Sequence, residues 1–136
     1  MSVGEIIWDE NFSVGHDVLD FQHKKLVKIC NNLYWLIKND ESEEHFHELL
    51  NDLSNYARIH FDYEESLLLK KGYANYKDHE KDHLDYQEHL MHYLQEAMSG
   101  TLEKKDLHNW VSNWWKDHIL VKDMDFKHTI MSDEYN

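Results

Sequence analysis

Six side chains that belong in water fall where a helical protein keeps its apolar residues. His23, His60, Glu64, His79, His83 and His118 each interrupt the buried stripe of a pattern with a period near 3.6 residues. At about 100° per residue, a four-residue step returns to within roughly 40° of the same helix face. His60 therefore points with Glu64, and His79 with His83. Asp123 follows His118 by five residues, at a helix end where a frayed or tightened last turn would swing it inward. A single buried histidine is ordinarily satisfied by a nearby carbonyl. Six unpaired imidazoles and carboxylates, at roughly 1–3 kcal/mol each, would unfold a small domain unless something binds them. A metal site is the economical explanation. Nitrogen-rich ligation with carboxylates suits iron, zinc, copper or nickel, whereas calcium and magnesium want an oxygen cage. With Asp123 the ligand residues exceed what one tetrahedral zinc can use, and two metals bridged by Glu64 and Asp123 would use them all.

Four helices position these residues, at about 18–39, 41–71, 76–99 and 102–122. Asp17 is read as the cap of the first, with Asp20 at its third position, and its stripe runs Leu19, His23, Leu26, Val27, Cys30, Leu33, Tyr34 and Ile37. Asp40 and Glu43 resemble a capping box for the second, which Lys70, Lys71 and Gly72 close. Asn75 and Asp78 can cap the third, with Met98 on its apolar side, and Gly100 stops it. The fourth starts after Thr101 and ends near Lys122. Short connections join antiparallel neighbours, so the expected fold is an all-α, up-down-up-down four-helix bundle. Residues 1–16, with Ile6, Ile7, Trp8 and Phe12, form an arm over it, and residues 124–136 receive no element. The whole chain, 1–136, reads as one domain.

Composition narrows the function. Lys plus Arg number 14 against 27 Asp plus Glu, giving a formal net charge of -13 that repels nucleic acid and anionic membranes. No run of apolar residues is long enough to span a bilayer, and the amino terminus lacks a secretory signal, so a cytoplasmic protein without membrane insertion is expected. Cys30 is the only cysteine, which excludes an internal disulfide and thiolate metal clusters. Apolar residues at 41% suffice for a core, and the absence of proline lets helices run long.

The stretches Asp20-Phe21-Gln22-His23, His60-Phe61-Asp62-Tyr63-Glu64-Glu65, His79-Glu80-Lys81-Asp82-His83 and His118-Ile119-Leu120-Val121-Lys122-Asp123 are similar, in order and spacing, to the ligand motifs of the hemerythrin family in its bacterial form. Trp8 and Ser13-Val14-Gly15 resemble that family's amino-terminal segment. The likeness spans almost the whole chain. It implies two iron ions, cycling between Fe2+ and Fe3+, with a bridging oxo or hydroxo group. His79, His83 and His118 would hold one iron, His23 and His60 the other, and Glu64 and Asp123 would bridge them. Molecular oxygen would bind reversibly at the iron with two histidines. Leu26, Phe61, Trp114, Trp115 and Ile119 are the expected lining of a dry oxygen pocket, a role compatible with ordinary core packing. Trp115 stands where many relatives carry leucine and is expected to narrow oxygen access or shield the bound molecule. Ala74 replaces a frequent proline, with consequences for the loop alone.

Two enzyme readings compete. His79-Glu80-Lys81-Asp82-His83 fits the H-E-x-x-H pattern of zinc hydrolases but leaves four of the other ligand residues unexplained. Glu44-x-x-His47 and Glu80-x-x-His83 imitate the motif of ferritin-like di-iron oxidases, yet the first helix offers no glutamate between Asp17 and Lys38. The expectation is an oxygen binder and not an enzyme, serving storage, delivery or scavenging. It would be a monomer that hands oxygen to an unidentified accepting protein. Sensing through a separate partner is the alternative use. His16, His45, His47, His89, His92, His108 and His128 are assigned no ligand role, with His89 and His92 turned to solvent.

Overall fold

The structure, a computed structural model, describes residues 4–131, and Met131 by its backbone only. Four long helices carry it: α1 (Asp17–Lys38), α2 (Glu43–Lys70), α3 (Tyr76–Ser99) and α4 (Lys104–Asp117). A π-helical turn, His118–Lys122, continues α4 into α5 (Asp123–Met131), and a 3-10 turn, Glu10–Phe12, lies in the amino-terminal arm. α1 packs on α2 and α4, and α2 on α3, in an antiparallel four-helix bundle. No strand occurs among the described residues.

Local chemistry sets the helix ends, though not always through the expected residues. His16, in extended backbone, caps α1 by accepting the Leu19 N–H at Nδ1 (3.3 Å). Asp17 is the first helical residue, and the Asp20 carboxylate is committed elsewhere. It accepts from Ser13 Oγ at 2.6 Å and from the Val14 N–H at 2.9 Å, fastening the arm to α1. Ser42, rather than Asp40, caps α2 through the His45 N–H at 3.2 Å. Asp40 instead takes a left-handed turn with φ 50°. Asn75 stands at the start of α3 but sends its side-chain N–H to Asp125 (3.2 Å). Gly100, at φ 76°, ends α3 in the left-handed conformation that favours glycine.

The fourth helix differs most from expectation. It begins at Lys104 instead of following Thr101 directly, and its path does not stop near Lys122. Phe126 and Ile130 on α5 are buried with Val14, Leu19 and Leu68 in a second, smaller core below the main one. These two residues alone are too sparse to read as a stripe, and only the fold shows what they meet. The main core gathers Leu26, Leu33, Leu36, Phe46, Leu50 and Leu53 from α1 and α2 around Tyr86 and Trp115. Met98, expected on the apolar side of α3, is 87% exposed.

The arm is held by paired bonds between Asn31 and the Ile6 backbone, at 2.8 and 2.9 Å, and by Trp8 stacked on Phe12. Ile6, Phe12 and Val14 are buried, so the arm closes one side of the bundle. Its first three residues, and residues 132–136, lie outside the described ones.

Because Asp20 holds two arm groups at once, Asp20→Ala should lower the unfolding free energy by about 1–3 kcal/mol. Urea denaturation gives the loss, and faster hydrogen exchange at the Val14 amide would localise it. An unchanged midpoint would mean that the arm is held by its apolar contacts alone.

Candidate metal centre

Each of the four helical columns contributes to one buried cluster. α1 supplies His23, α2 His60 and Glu64, α3 His79 and His83, and the π turn begins with His118 and hands over to Asp123. All seven side chains are at most 4% exposed. Neither fraying nor tightening brings Asp123 inward. The turn widens, and the Asp123 N–H bonds the His118 carbonyl five residues back. In a regular α-helix a five-residue step leaves two side chains about 140° apart. The π turn puts His118 and Asp123 on one face, a use such turns often serve at functional sites.

The cluster has two poles. Glu64 Oε1 faces Nε2 of His79 at 2.5 Å, of His83 at 3.0 Å and of His118 at 3.6 Å. Its other oxygen, Oε2, faces His60 at 3.1 Å and His23 at 3.5 Å. Asp123 repeats the division: Oδ1 lies 3.1 Å from His118 and 3.3 Å from His79, while Oδ2 lies 3.0 Å from His23. Glu64 thus divides five histidines three and two between its oxygens, and Asp123 divides His79 and His118 from His23 along the same line.

The directions of these groups fit metal ligation better than hydrogen bonding. Glu64 Oε2 and both Asp123 oxygens have no correctly oriented hydrogen bond despite neighbours at 3.0–3.5 Å. Nε2 of His23 and His60 approach to 3.1 Å, and those of His83 and His118 to 3.2 Å, although one proton at most can serve each pair. Ligand atoms about 2.1 Å from a shared ion sit about 3 Å from one another. The observed spacings match that, and the orphaned lone pairs aim inward.

Two residues without an expected role stand behind the cluster. Gln22 Oε1 lies 2.7 Å from His60 Nδ1, and Glu65 Oε2 lies 2.7 Å from His83 Nδ1. In each case Nδ1–H donates, which leaves the Nε2 lone pair free toward the centre. The sequence placed both beside expected ligands, but each serves a ligand on another helix.

Burial opposes charge on every group here. At His23 and His79 that effect is overcome by the close negative oxygens of Asp123 and Glu64, which push the imidazoles up to about 9 and about 10. His118 is raised by the same two carboxylates against its burial. At His60 burial prevails over the pull of Glu64, and the value falls to about 4. Glu64 and Asp123, despite burial, are held well below the usual carboxylate range by the surrounding histidines. Metal-free, the cluster is an ion pair network balanced by protons.

Phe61 stacks on His83 at 3.9 Å and on Trp115 at 5.4 Å, and Trp115 comes within 5.7 Å of the His60 ring. Both are fully buried, as are Leu26 and Ile119 in the adjoining core. Trp114 is half-buried and lies flat on His118 at 4.4 Å, an outer cover. Of the remaining histidines, His89 and His92 are exposed, and His89 stacks on Trp110. His108 is buried and shares a hydrogen bond with Ser112 at 3.1 Å, away from the cluster. Cys30 is wholly buried, which pushes its thiol up to about 12 and keeps it unreactive.

Fold and site define a cation-binding four-helix bundle. The Hemerythrin HHE cation binding domain matches residues 14–130, and the chain belongs to the hemerythrin family. It is 28% identical over 125 residues to a bacteriohemerythrin of Clostridium acetobutylicum, covering 88% of this chain and 97% of that one. A bacteriohemerythrin of Pseudomonas aeruginosa is 27% identical over 123 residues, covering 89% of this chain and 78% of its own length. Wild-type hemerythrin shares the fold with a TM-score of 0.86 at 23% identity, over 93% of this chain and 98% of that structure.

Because His23 and His79 keep their protons below about 9 and 10, metal must displace them at neutral pH. Anaerobic titration of the metal-free protein with ferrous ion at pH 7 should release at least about two protons per chain. Affinity should then fall about 100-fold for each unit the pH drops, from the linkage of two protons. Indicator dyes in weak buffer measure the release, and uptake without protons would contradict this charge balance.

Proposed function

We propose that this protein binds molecular oxygen reversibly at a non-haem di-iron centre. The observation that carries the reading is the double division of the carboxylates: Glu64 turns one oxygen to three histidines and the other to two, and Asp123 turns one to His79 and His118 and the other to His23. His79, His83 and His118 would hold one iron, His23 and His60 the other, with Glu64 and Asp123 shared and an oxo or hydroxo group completing the bridge. Two irons held by these residues would supply the reversible electron transfer that oxygen binding requires. The side with fewer histidines would be left with the ligand position that oxygen takes.

The protein's own residues keep that exchange clean. Gln22 and Glu65 lock the tautomers of His60 and His83. Phe61, Trp115, Ile119 and Leu26, all buried, would line the oxygen pocket with Trp114 over His118, an apolar wall that would keep water from that side. Five imidazoles against two carboxylates make a centre less biased to the ferric state than a carboxylate-rich one.

The enzyme readings find less support. Glu80, the water-activating residue of a zinc hydrolase, accepts from the Tyr76 hydroxyl at 3.1 Å. Glu44 and His47, which an oxidase motif would use, are exposed at the start of α2. We therefore read the whole chain as one domain, a monomer and not an enzyme, that stores, delivers or scavenges oxygen in the cytoplasm. The recipient is an accepting protein, or a separate signalling partner if the use is sensing. No described helix is long and apolar enough to cross a membrane.

Anaerobic loading with ferrous ion, an optical spectrum before and after oxygen, and a second spectrum after purging test this directly. Two irons per chain and a coloured form that disappears on purging are expected. One colourless zinc would favour the hydrolase, and irreversible oxidation an oxidase. His118→Ala should lose metal at one position and fold less stably, and unchanged metal content would overturn its assignment. Trp115→Leu should quicken oxygen release and autoxidation in stopped flow, whereas unaltered rates would remove Trp115 from the access route.

A further inference from the structure

The two poles of the cluster differ in what stands behind them. On the three-histidine side, His83 donates from Nδ1 to a carboxylate, Glu65, at 2.7 Å. On the two-histidine side, His60 donates to a neutral amide, Gln22, at the same distance. His23 Nδ1 is buried there with no protein hydrogen-bond partner among the described residues. A carboxylate draws the shared proton toward itself and pushes electron density into the imidazole, and a neutral amide does so much less.

We infer that Glu65 and Gln22 are positioning residues that make the two metal positions electronically unequal, Glu65 strengthening the three-histidine side and Gln22 leaving the two-histidine side weak. The inference rests on the two-metal reading above. Donor number and donor strength then act in the same direction. Three imidazoles, one backed by an anion, stabilise the higher charge at one position. Two imidazoles, one backed by an amide and neither by a protein carboxylate, leave the other position the more electrophilic, which is also where the ligand set is short. Both bonds cross between helices: Gln22 of α1 serves His60 of α2, and Glu65 of α2 serves His83 of α3. Gln22 is 8% exposed, and the Glu65 side chain 22%, so neither is a free surface group.

Glu65→Gln removes the charge while keeping the shape, and Gln22→Glu adds one. Wild type and both variants are loaded with ferrous ion without air, their metal counted, and the first one-electron oxidation followed by optical redox titration. Glu65→Gln should keep two irons and shift that equilibrium about tenfold toward ferrous, about 59 mV upward. Gln22→Glu should shift it the other way. Unmoved potentials with intact metal content would overturn the inference, whereas a wild type that takes up no second metal would overturn the two-metal reading beneath it. Should either variant lose metal or fail to fold, the zinc-loaded wild type decides by NMR. The His83 Nδ1–H proton should resonate well downfield of that of His60, and equal shifts would refute the asymmetry.

Discussion

Two carboxylates without solvent access, Glu64 and Asp123, set the terms for the rest of this molecule. Removing an ion from water costs several kcal/mol even after the protein relaxes, and the cost is recovered only when opposite charge stands in good geometry. Among the described residues five imidazoles, and no Lys or Arg, form ion pairs with the two carboxylates. Charge can therefore come from two sources only, protons on the rings or cations between them. That choice explains why His23 and His79 lean strongly toward protonation while His60, close to the same anions, stays neutral. It also makes the folded state and the bound state of the centre parts of one equilibrium.

Meeting this demand dictates architecture. Cluster residues from every helical column must reach one level of the bundle, so no column may break, and a chain without proline permits helices of 22, 28 and 24 residues. The fourth column faces a conflict, because His118 and Asp123 cannot share a face of a regular α-helix. The π turn resolves it by inserting a wider ring, and α5 holds the widened turn in place. Phe126 and Ile130 anchor α5 against Val14, Leu19 and Leu68, while Asp125 accepts hydrogen bonds from the Tyr73 hydroxyl and the Asn75 amide. The small second core thus fixes the position of Asp123.

Much of this was legible because burial leaves a periodic trace. Polar residues on apolar stripes exposed six members of the cluster, and four-residue spacing paired two sets of them. Asp123 was readable only as a residue at the right end of its helix. A π turn has no propensity signature in His118–Lys122, and α5 buries too few residues to announce itself. Gln22 and Glu65 were hidden for another reason. Each neighbours a residue of the cluster in sequence but acts on a third one across a helix interface, a relation that periodicity does not encode. The caps failed in the same way: Asp20 and Asn75 look like helix-start residues, yet tertiary partners claimed their side chains.

The aromatic wall and the nitrogen-rich ligand set work toward one chemical end. On the proposed reading, oxygen must accept electron density and return it, so the site must neither trap the oxidised state nor let water complete the reduction. Carboxylates favour ferric ions, and a centre built from four of them would drift toward oxidation. On that reading only Glu64 and Asp123 would be shared, and the remaining ligand atoms would be imidazole nitrogens, neutral once metal has displaced their protons. Phe61 stacks on His83 and Trp115, and Trp114 lies over His118, so rigid rings wall this side of the cluster. Ring stacking also fixes the planes of the ligands, which lets a dry site be a rigid one. Removing charge from the ligand set and removing water from around it are separate structural acts, and reversible binding needs both.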